Sequence, residues 1–216
     1  MGKIVKIFIG LWFFGTVSSL QAQDMGIAIK GGLNFNTLSV SAKGGANTTG
    51  LESKIGYHLG GTYEESITDI LFVEIGLLLD TRGYKQIQRE DVDRREYSLN
   101  LLSLTLPTTL KGKFEVADDI RLFIEGGVHL NFLLSGSKHS KETRDGKILR
   151  EETSTVSFEG DDAFKRFGFG LTFGGGIEYK NFIFSLGYDL GLRDYDENED
   201  VSVKLNALKI GVAYRF

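Results

Sequence analysis

A set of charged side chains sits where a strand would otherwise be apolar: Lys30, Glu74, Asp80, Arg82, Arg121, Glu125, Glu178, Asp189, Arg193 and Lys209. Most stand between two apolar or glycine neighbours, as in "VEIG" and "LKIG". Carboxylates and cations spaced this way can neutralise one another where water is excluded, and burial without such pairing is costly. That is the chemistry of a filled, cohesive interior. Two histidines, His58 and His129, belong to the same set. A histidine can serve as a general base, but it needs a nucleophile beside it and a third group to orient it. The spacing places no serine next to either, so both are read as interior histidines. The run "DYDENED" sets Asp194, Asp196, Asn198 and Asp200 at alternate positions, like the first half of a calcium loop. Glu199 stands where that loop needs glycine, and Leu205 where it needs glutamate. A solvated acidic loop is expected there. No catalytic residue, cofactor site or metal site is assigned.

The elements that must position these groups are strands. In "GIAIKGGLNFN", Ile27, Ile29, Leu33 and Phe35 share one parity, and Ala28, Lys30, Asn34 and Asn36 share the other. A period of two gives a strand one apolar and one polar face. The rhythm returns at 55–64, 71–82, 104–111, 120–132, 167–179, 182–193 and 208–216, which predicts eight strands. Upstream of Leu104 the apolar residues Tyr97, Leu99 and Leu101 fall on the other parity, and a bulge near Leu102-Ser103 would reconcile them. Pro107 lacks an amide donor, so its strand must miss one ladder bond.

Connections alternate in length. "EESITD", "EVADD" and Lys180-Asn181 are short, whereas 40–53, 83–96, 135–165 and 194–202 are long. Short turns on one side and long loops on the other mark an outer-membrane barrel. In such a barrel the apolar parity meets lipid and the charged parity lines the interior. The apolar parity is rich in leucine and aromatics, with Tyr57, Tyr63, Tyr179, Tyr188, Tyr214 and Phe216 toward strand ends, as aromatic girdles require. Eight strands enclose an interior just wide enough for side chains. The predicted fold is therefore all-β, an eight-stranded antiparallel up-and-down transmembrane β-barrel with a plugged lumen.

Composition agrees. The sequence holds 28 glycines, one proline and no cysteine, which excludes disulfides. Lys3 and Lys6, the apolar run from Ile7 to Val17 and the small residues up to Ala22 read as a secretory signal peptide over 1–22, leaving the barrel as 23–216. Without Lys3 and Lys6 the chain has 23 basic and 29 acidic residues, a formal charge of −6. Nucleic acid is not an expected partner, because no basic face is clustered. In the long insert 135–165, Asp145-Gly146 is a hairpin turn flanked by residues able to extend two strands above the membrane.

Several stretches resemble the PorT-like family of outer-membrane β-barrel proteins of Gram-negative bacteria: "GIAIKGGLNFNTL", "EIGLLLDTRGYK", "LTLPTTLKGKF" and "FIEGGVHLNFLLSG". The resemblance covers essentially the whole mature chain. It implies an integral outer-membrane barrel, tied in some members to secretion or surface assembly, and brings no catalytic residues. The terminal Phe216 in "YRF" resembles the signal read by the barrel-assembly machinery.

The expected function is thus a non-enzymatic outer-membrane module that displays extracellular loops. Its expected partners are outer-membrane lipid and lipopolysaccharide, the barrel-assembly machinery, and a protein or glycan at the loops. Two alternatives remain within the membrane, a lipid-modifying barrel enzyme and a narrow small-solute porin. A soluble ligand-binding barrel would need the large apolar residues inside, and the loop alternation does not favour it.

Overall fold

The computed structural model describes residues 26–42, 51–90, 93–158, 165–193 and 201–216. Residues 1–25, which hold the expected signal peptide, the acidic run 194–200 and part of the long insert lie outside the described residues. In chain order the strands are β1 (Gly26–Ala42), β2 (Leu51–Glu52), β3 (Lys54–Ser66), β4 (Leu71–Glu90), β5 (Asp93–Ala117), β6 (Ile120–Arg144), β7 (Lys147–Thr155), β8 (Phe167–Tyr179), β9 (Phe182–Gly191) and β10 (Val201–Arg215). Eight of them, all but β2 and β7, pair antiparallel as successive neighbours. The ring closes where β1 meets β10, from Ala28 opposite Arg215 to Ala42 opposite Val201. Closure leaves no strand edge for hydrocarbon to meet, and an unpaired backbone group there would be costly. The result is an eight-stranded up-and-down β-barrel. β2 pairs only with Lys85 and Gln86, and β7 forms a hairpin on the far part of β6.

The short joins lie at one end. Asp119 (φ 63°) turns β5 into β6, and Lys180 (φ 53°) turns β8 into β9. Between β3 and β4, Thr68 Oγ1 accepts the amides of Ile70 and Leu71 at 3.4 and 3.1 Å. Short turns face the periplasm and long loops face outward in such barrels. At the long-loop end β4, β5, β6 and β7 continue as a four-stranded sheet. The β6–β7 hairpin turns at Asp145 (φ 48°) and Gly146 (φ 75°), the type I′ geometry expected for that dipeptide.

The two parities separate as alternation requires. Ile29, Leu33, Leu59, Ile75, Leu77, Ile124, Phe169, Phe184, Ile210 and Val212 are exposed on the outer wall, while the alternate residues are buried or half-buried within. At the short-turn rim Phe182, Tyr214 and Phe216 stack edge to face, with centroids 5.2 and 5.4 Å apart. The Phe216 amide donates to the Ile27 carbonyl at 3.0 Å, tying the chain end to the first strand.

Pro107 sits where the ladder is interrupted. The β4–β5 pairing passes from Ile75–Thr108 to Leu78–Thr105 without partners for Gly76 and Leu77. The proline ring lies against Gly76, where a Cβ would come within 2.9 Å of Pro107 Cγ.

The register shift at Leu102-Ser103 is present, but the extra residue belongs to β6. Leu102 pairs with Ser135 and Ser103 with Leu133, so Leu134 bulges. β5 therefore keeps one parity throughout. Leu99 and Leu101 point inward instead of toward lipid, which corrects the expectation from the leucine spacing. They pack with Leu133, Val156 and Leu205, and Tyr84 and Phe158 lie against them. This apolar layer caps the interior at the long-loop end.

Candidate functional site

The inward side chains form two charged layers. In the periplasmic half, Glu64 and Glu74 stand directly opposite each other on β3 and β4. Like charges so placed repel. Two lysines of β5 reverse the sign. Lys111 Nζ lies 2.6 Å from Glu74, 3.4 Å from Glu64 and 3.8 Å from Glu125. Lys113 bridges Glu64 and Glu178, the latter at 2.7 Å. Arg215, on the last strand, donates to Glu64 at 2.9 Å and to both oxygens of Glu178 at 2.7 and 3.1 Å. Lys30 stands 3.8 Å from Glu74. Thr109 donates to Glu125 at 3.3 Å. The two β5 ammonium groups also lie over aromatic rings, Lys111 over Phe123 at 4.9 Å and Lys113 over Phe72 at 4.3 Å. Such shared, charge-assisted bonds are what make a buried cluster tenable.

The second layer lies toward the long loops. Asp80 and Asp189 face each other across the lumen with Arg82 and Lys209 between them. Arg82 reaches Asp80 at 3.0 Å and Asp189 at 2.6 Å, and Lys209 reaches both carboxylates at 2.8 Å. Neutral groups complete the shell: Asn34 donates to Asp80, Thr105 to Asp80 at 3.3 Å and Thr172 to Asp189 at 2.8 Å. Three strands, β4, β9 and β10, thus converge on one square of charge. Between the two layers a cavity of about 40 Å³ is left, lined in part by Lys30, His58, Glu125 and Lys209. That space suits a water molecule or two.

Both histidines are built into this interior. His58 Nδ1 bonds Asn34 Oδ1 at 2.7 Å. His129 Nδ1 bonds Thr172 Oγ1 at 2.9 Å, and its Nε2 is buried without a hydrogen-bond partner. Ser185 lines the same cavity as His58, but its hydroxyl donates to the Gly211 carbonyl at 3.5 Å. The hydroxyl beside His129 is that of Thr172, which donates to Asp189 at 2.8 Å within the second ion-pair layer.

Two residues of the expected charge network sit differently. Arg193 lies just beyond β9 with its guanidinium 5.5 Å from the Phe167 ring. It is outside both layers, because β9 has already ended at Gly191. Arg121 stands at the short-turn rim, its side chain 43% exposed and 4.0 Å from Glu178. The lower layer also holds Glu64, Lys111, Lys113 and Arg215, which are not in the expected network. Their signal is parity: Lys111 and Lys113 share the inward face of β5, Glu64 that of His58, and Arg215 that of Lys209.

Above the apolar cap the extracellular sheet carries a different polar pattern. Lys85 pairs with Glu96 at 2.7 Å, Arg94 with Glu96 at 3.3 Å and Arg95 with Glu142 at 3.2 Å. The hydrogen bond from Lys85 holds the Glu96 carboxyl below its usual range. His139 Nδ1 bonds Thr153 Oγ1 at 3.0 Å, joining β6 to β7. A hollow of about 500 Å³ opens over this sheet, with Tyr84, Tyr97, Lys138, Ser140 and Glu152 among its lining residues.

No curated protein matches the chain. Among solved structures it is similar to the attachment invasion locus protein Ail of Yersinia pestis (17% identity, 90% of this chain and 100% of that one, TM-score 0.37). It is also similar to neisserial surface protein A (13%, 88% and 97%, 0.44) and to OprG from Pseudomonas aeruginosa (13%, 89% and 96%, 0.47). A family model described as outer membrane protein beta-barrel domain matches residues 21–197. With a closed eight-stranded wall, an apolar outer face and a charged interior, this chain belongs to the outer-membrane protein β-barrel domain family and resides in the outer membrane.

Proposed function

We propose that the protein is a closed, non-enzymatic barrel that acts through its extracellular sheet as a structural or interaction module. The observation that carries this reading is the plug. Two layers of shared ion pairs and an apolar cap occupy the lumen in series, with a cavity of about 40 Å³ between the charged layers. A narrow porin needs a continuous water column, which side-chain filling of an eight-stranded barrel opposes. The enzyme alternative lacks support, since His58 is bonded to Asn34 and His129 to Thr172 beside Asp189, all inside the lumen and away from lipid. What faces outward is the four-stranded sheet with its hollow, a surface suited to a protein or glycan. The strand motifs resembling the PorT-like family favour a role in secretion or surface assembly. The aromatic end at Phe216, on the outer parity of the last strand, supports its reading as the assembly signal.

Planar-bilayer recording of the purified barrel tests the closed lumen. The expected result is no steady conductance. Large, stable steps from the unmodified protein would overturn it and put a small-solute porin first. Photo-crosslinkers placed at Tyr97 and Ser140 in cells should then capture a specific partner that the same probe at Lys180, on the opposite rim, does not.

A further inference from the structure

The barrel wall has a seam. The β3–β4 ladder stops at His58–Asp80 and resumes one register off at Glu52–Lys85 on β2. Between these points side chains replace backbone pairing. Thr81 Oγ1 accepts the Tyr57 amide at 2.7 Å and donates to the Tyr57 carbonyl at 3.1 Å. Asn36 Nδ2 donates to the Thr81 carbonyl at 3.1 Å. Over this seam lies a trench of about 430 Å³, with Lys54, Tyr57, Thr81, Asn100, Ser135 and Ser137 among its lining residues.

Its place on the wall selects its occupant. Immediately below, the outer face is the exposed apolar belt of Leu77, Leu79, Leu106, Phe132 and Leu134. At the trench Thr81, Asn100, Ser135 and Ser137 join Ile55, Tyr57 and Leu102 on the outward face, and this mixed, tyrosine-bearing band puts it at the headgroup level of the outer leaflet. Lys54 reaches across β4 to donate to Ser98 Oγ and, at 3.3 Å, to the Leu99 carbonyl. It makes no ion pair among the described residues, whereas neighbouring Lys85 is paired with Glu96. Asn36, 2% exposed, enters the lining from within, and its Oδ1 has no hydrogen-bond partner. A buried acceptor left alone calls for a donor.

We propose that this trench binds the headgroup of a phosphorylated glycolipid of the outer leaflet. The phosphate would lie against the Lys54 ammonium and the Ser and Thr hydroxyls, as charge-assisted bonding favours. A sugar hydroxyl would donate to Asn36 Oδ1, and the acyl chains would run down the leucine belt. The acceptor is what separates this ligand from phosphatidylcholine, whose headgroup has no hydroxyl to donate, and the phosphatidylglycerol arm of the test separates a sugar hydroxyl from a glycerol one.

The test is native mass spectrometry of the full barrel, extracted from mixed micelles containing equal lipid A, phosphatidylglycerol and phosphatidylcholine. The wild type is expected to retain lipid A in preference to both phospholipids. Lys54→Gln should lower that retention roughly tenfold, the value of one charge-assisted contact, while Lys54→Arg keeps it. Ser135→Phe, which fills the trench without touching Lys54, should lower it too. Lys180→Gln, at the opposite rim, should not. Heat-modifiable gel mobility reports that each variant is folded. Equal retention by wild type and Lys54→Gln would overturn the site. Equal retention of phosphatidylglycerol and lipid A would overturn the glycolipid assignment, and a matching loss in Lys180→Gln would reduce it to unspecific charge.

Discussion

Two lysine–glutamate pairs of this protein have nearly the same geometry and opposite surroundings. Lys111 lies 2.6 Å from Glu74 inside the barrel, with 1% of its side chain exposed. Lys85 lies 2.7 Å from Glu96 on the extracellular sheet, with 32% exposed. Distance alone would rank them equal. The environment does not. Inside the barrel, water is replaced by protein and hydrocarbon, so each charge has lost its solvation and depends on its partners. On the sheet, solvent screens the attraction and serves either group if the other leaves. The lumen also shares its cations, since Lys111 faces three carboxylates, whereas the sheet pairs most of its charges one or two at a time. Identical chemistry thus locks one region and merely decorates the other.

The largest effect is expected where that lock is opened. Lys111→Met leaves Glu64 and Glu74 opposed with less cation between them, and should cost about 3–5 kcal/mol, the range for breaking a buried pair. Urea unfolding in lipid vesicles measures it. Adding Glu74→Gln should recover part of the loss. A cost as small as that of an exposed pair would mean the lumen is solvated and the contrast fails.

A second contrast uses apolar residues of similar exposure. Leu77 is 51% exposed on the barrel wall, and Ile148 is 54% exposed on β7. One faces lipid and the other faces water. Leu77→Arg should destabilise the barrel by about 2–4 kcal/mol near the bilayer midplane. Ile148→Arg should stay within about 0.5 kcal/mol, as surface changes generally do. Equal effects in the same assay would show that the membrane boundary lies elsewhere.

The smallest effect belongs to the sheet. Lys85→Ala should cost less than about 1 kcal/mol, and added salt should shrink even that. Because the Lys85 hydrogen bond lowers the Glu96 pKa, the pair contributes fully above the unfolded value of about 4.3. Its contribution fades as pH falls through the lowered, folded value. An NMR titration of the Glu96 carboxyl should therefore show a midpoint below that of an unstructured glutamate, and Lys85→Ala should move it back up.

Much of this architecture was legible in the chain. A strand's side chains alternate by two whatever surrounds it, so Ile29 and Lys30, or Ile75 and Glu74, declare opposite faces at once. Turn chemistry is equally local, which is why Asp145-Gly146 and the join at Lys180-Asn181 stand where the residues place them. Parity also put Asp80, Asp189 and Lys209 inside together.

Tertiary structure decided the rest. Parity states that a side chain points inward but not which neighbour it meets, because that depends on stagger between strands far apart in the chain, as for Lys209 and Asp80, 129 positions apart. Parity marks where the register slips, at Leu102-Ser103, but not which of the two strands carries the extra residue. Leu99 and Leu101 look like lipid-facing residues until the extra residue is found on β6 instead of β5, and the leucines turn inward to cap the lumen. Arg193 looks like a lumen charge until β9 ends two residues before it. Alternation is a property of one strand and can be read from it. Register, strand ends and packing are properties of pairs of strands, and only the closed ring fixes them.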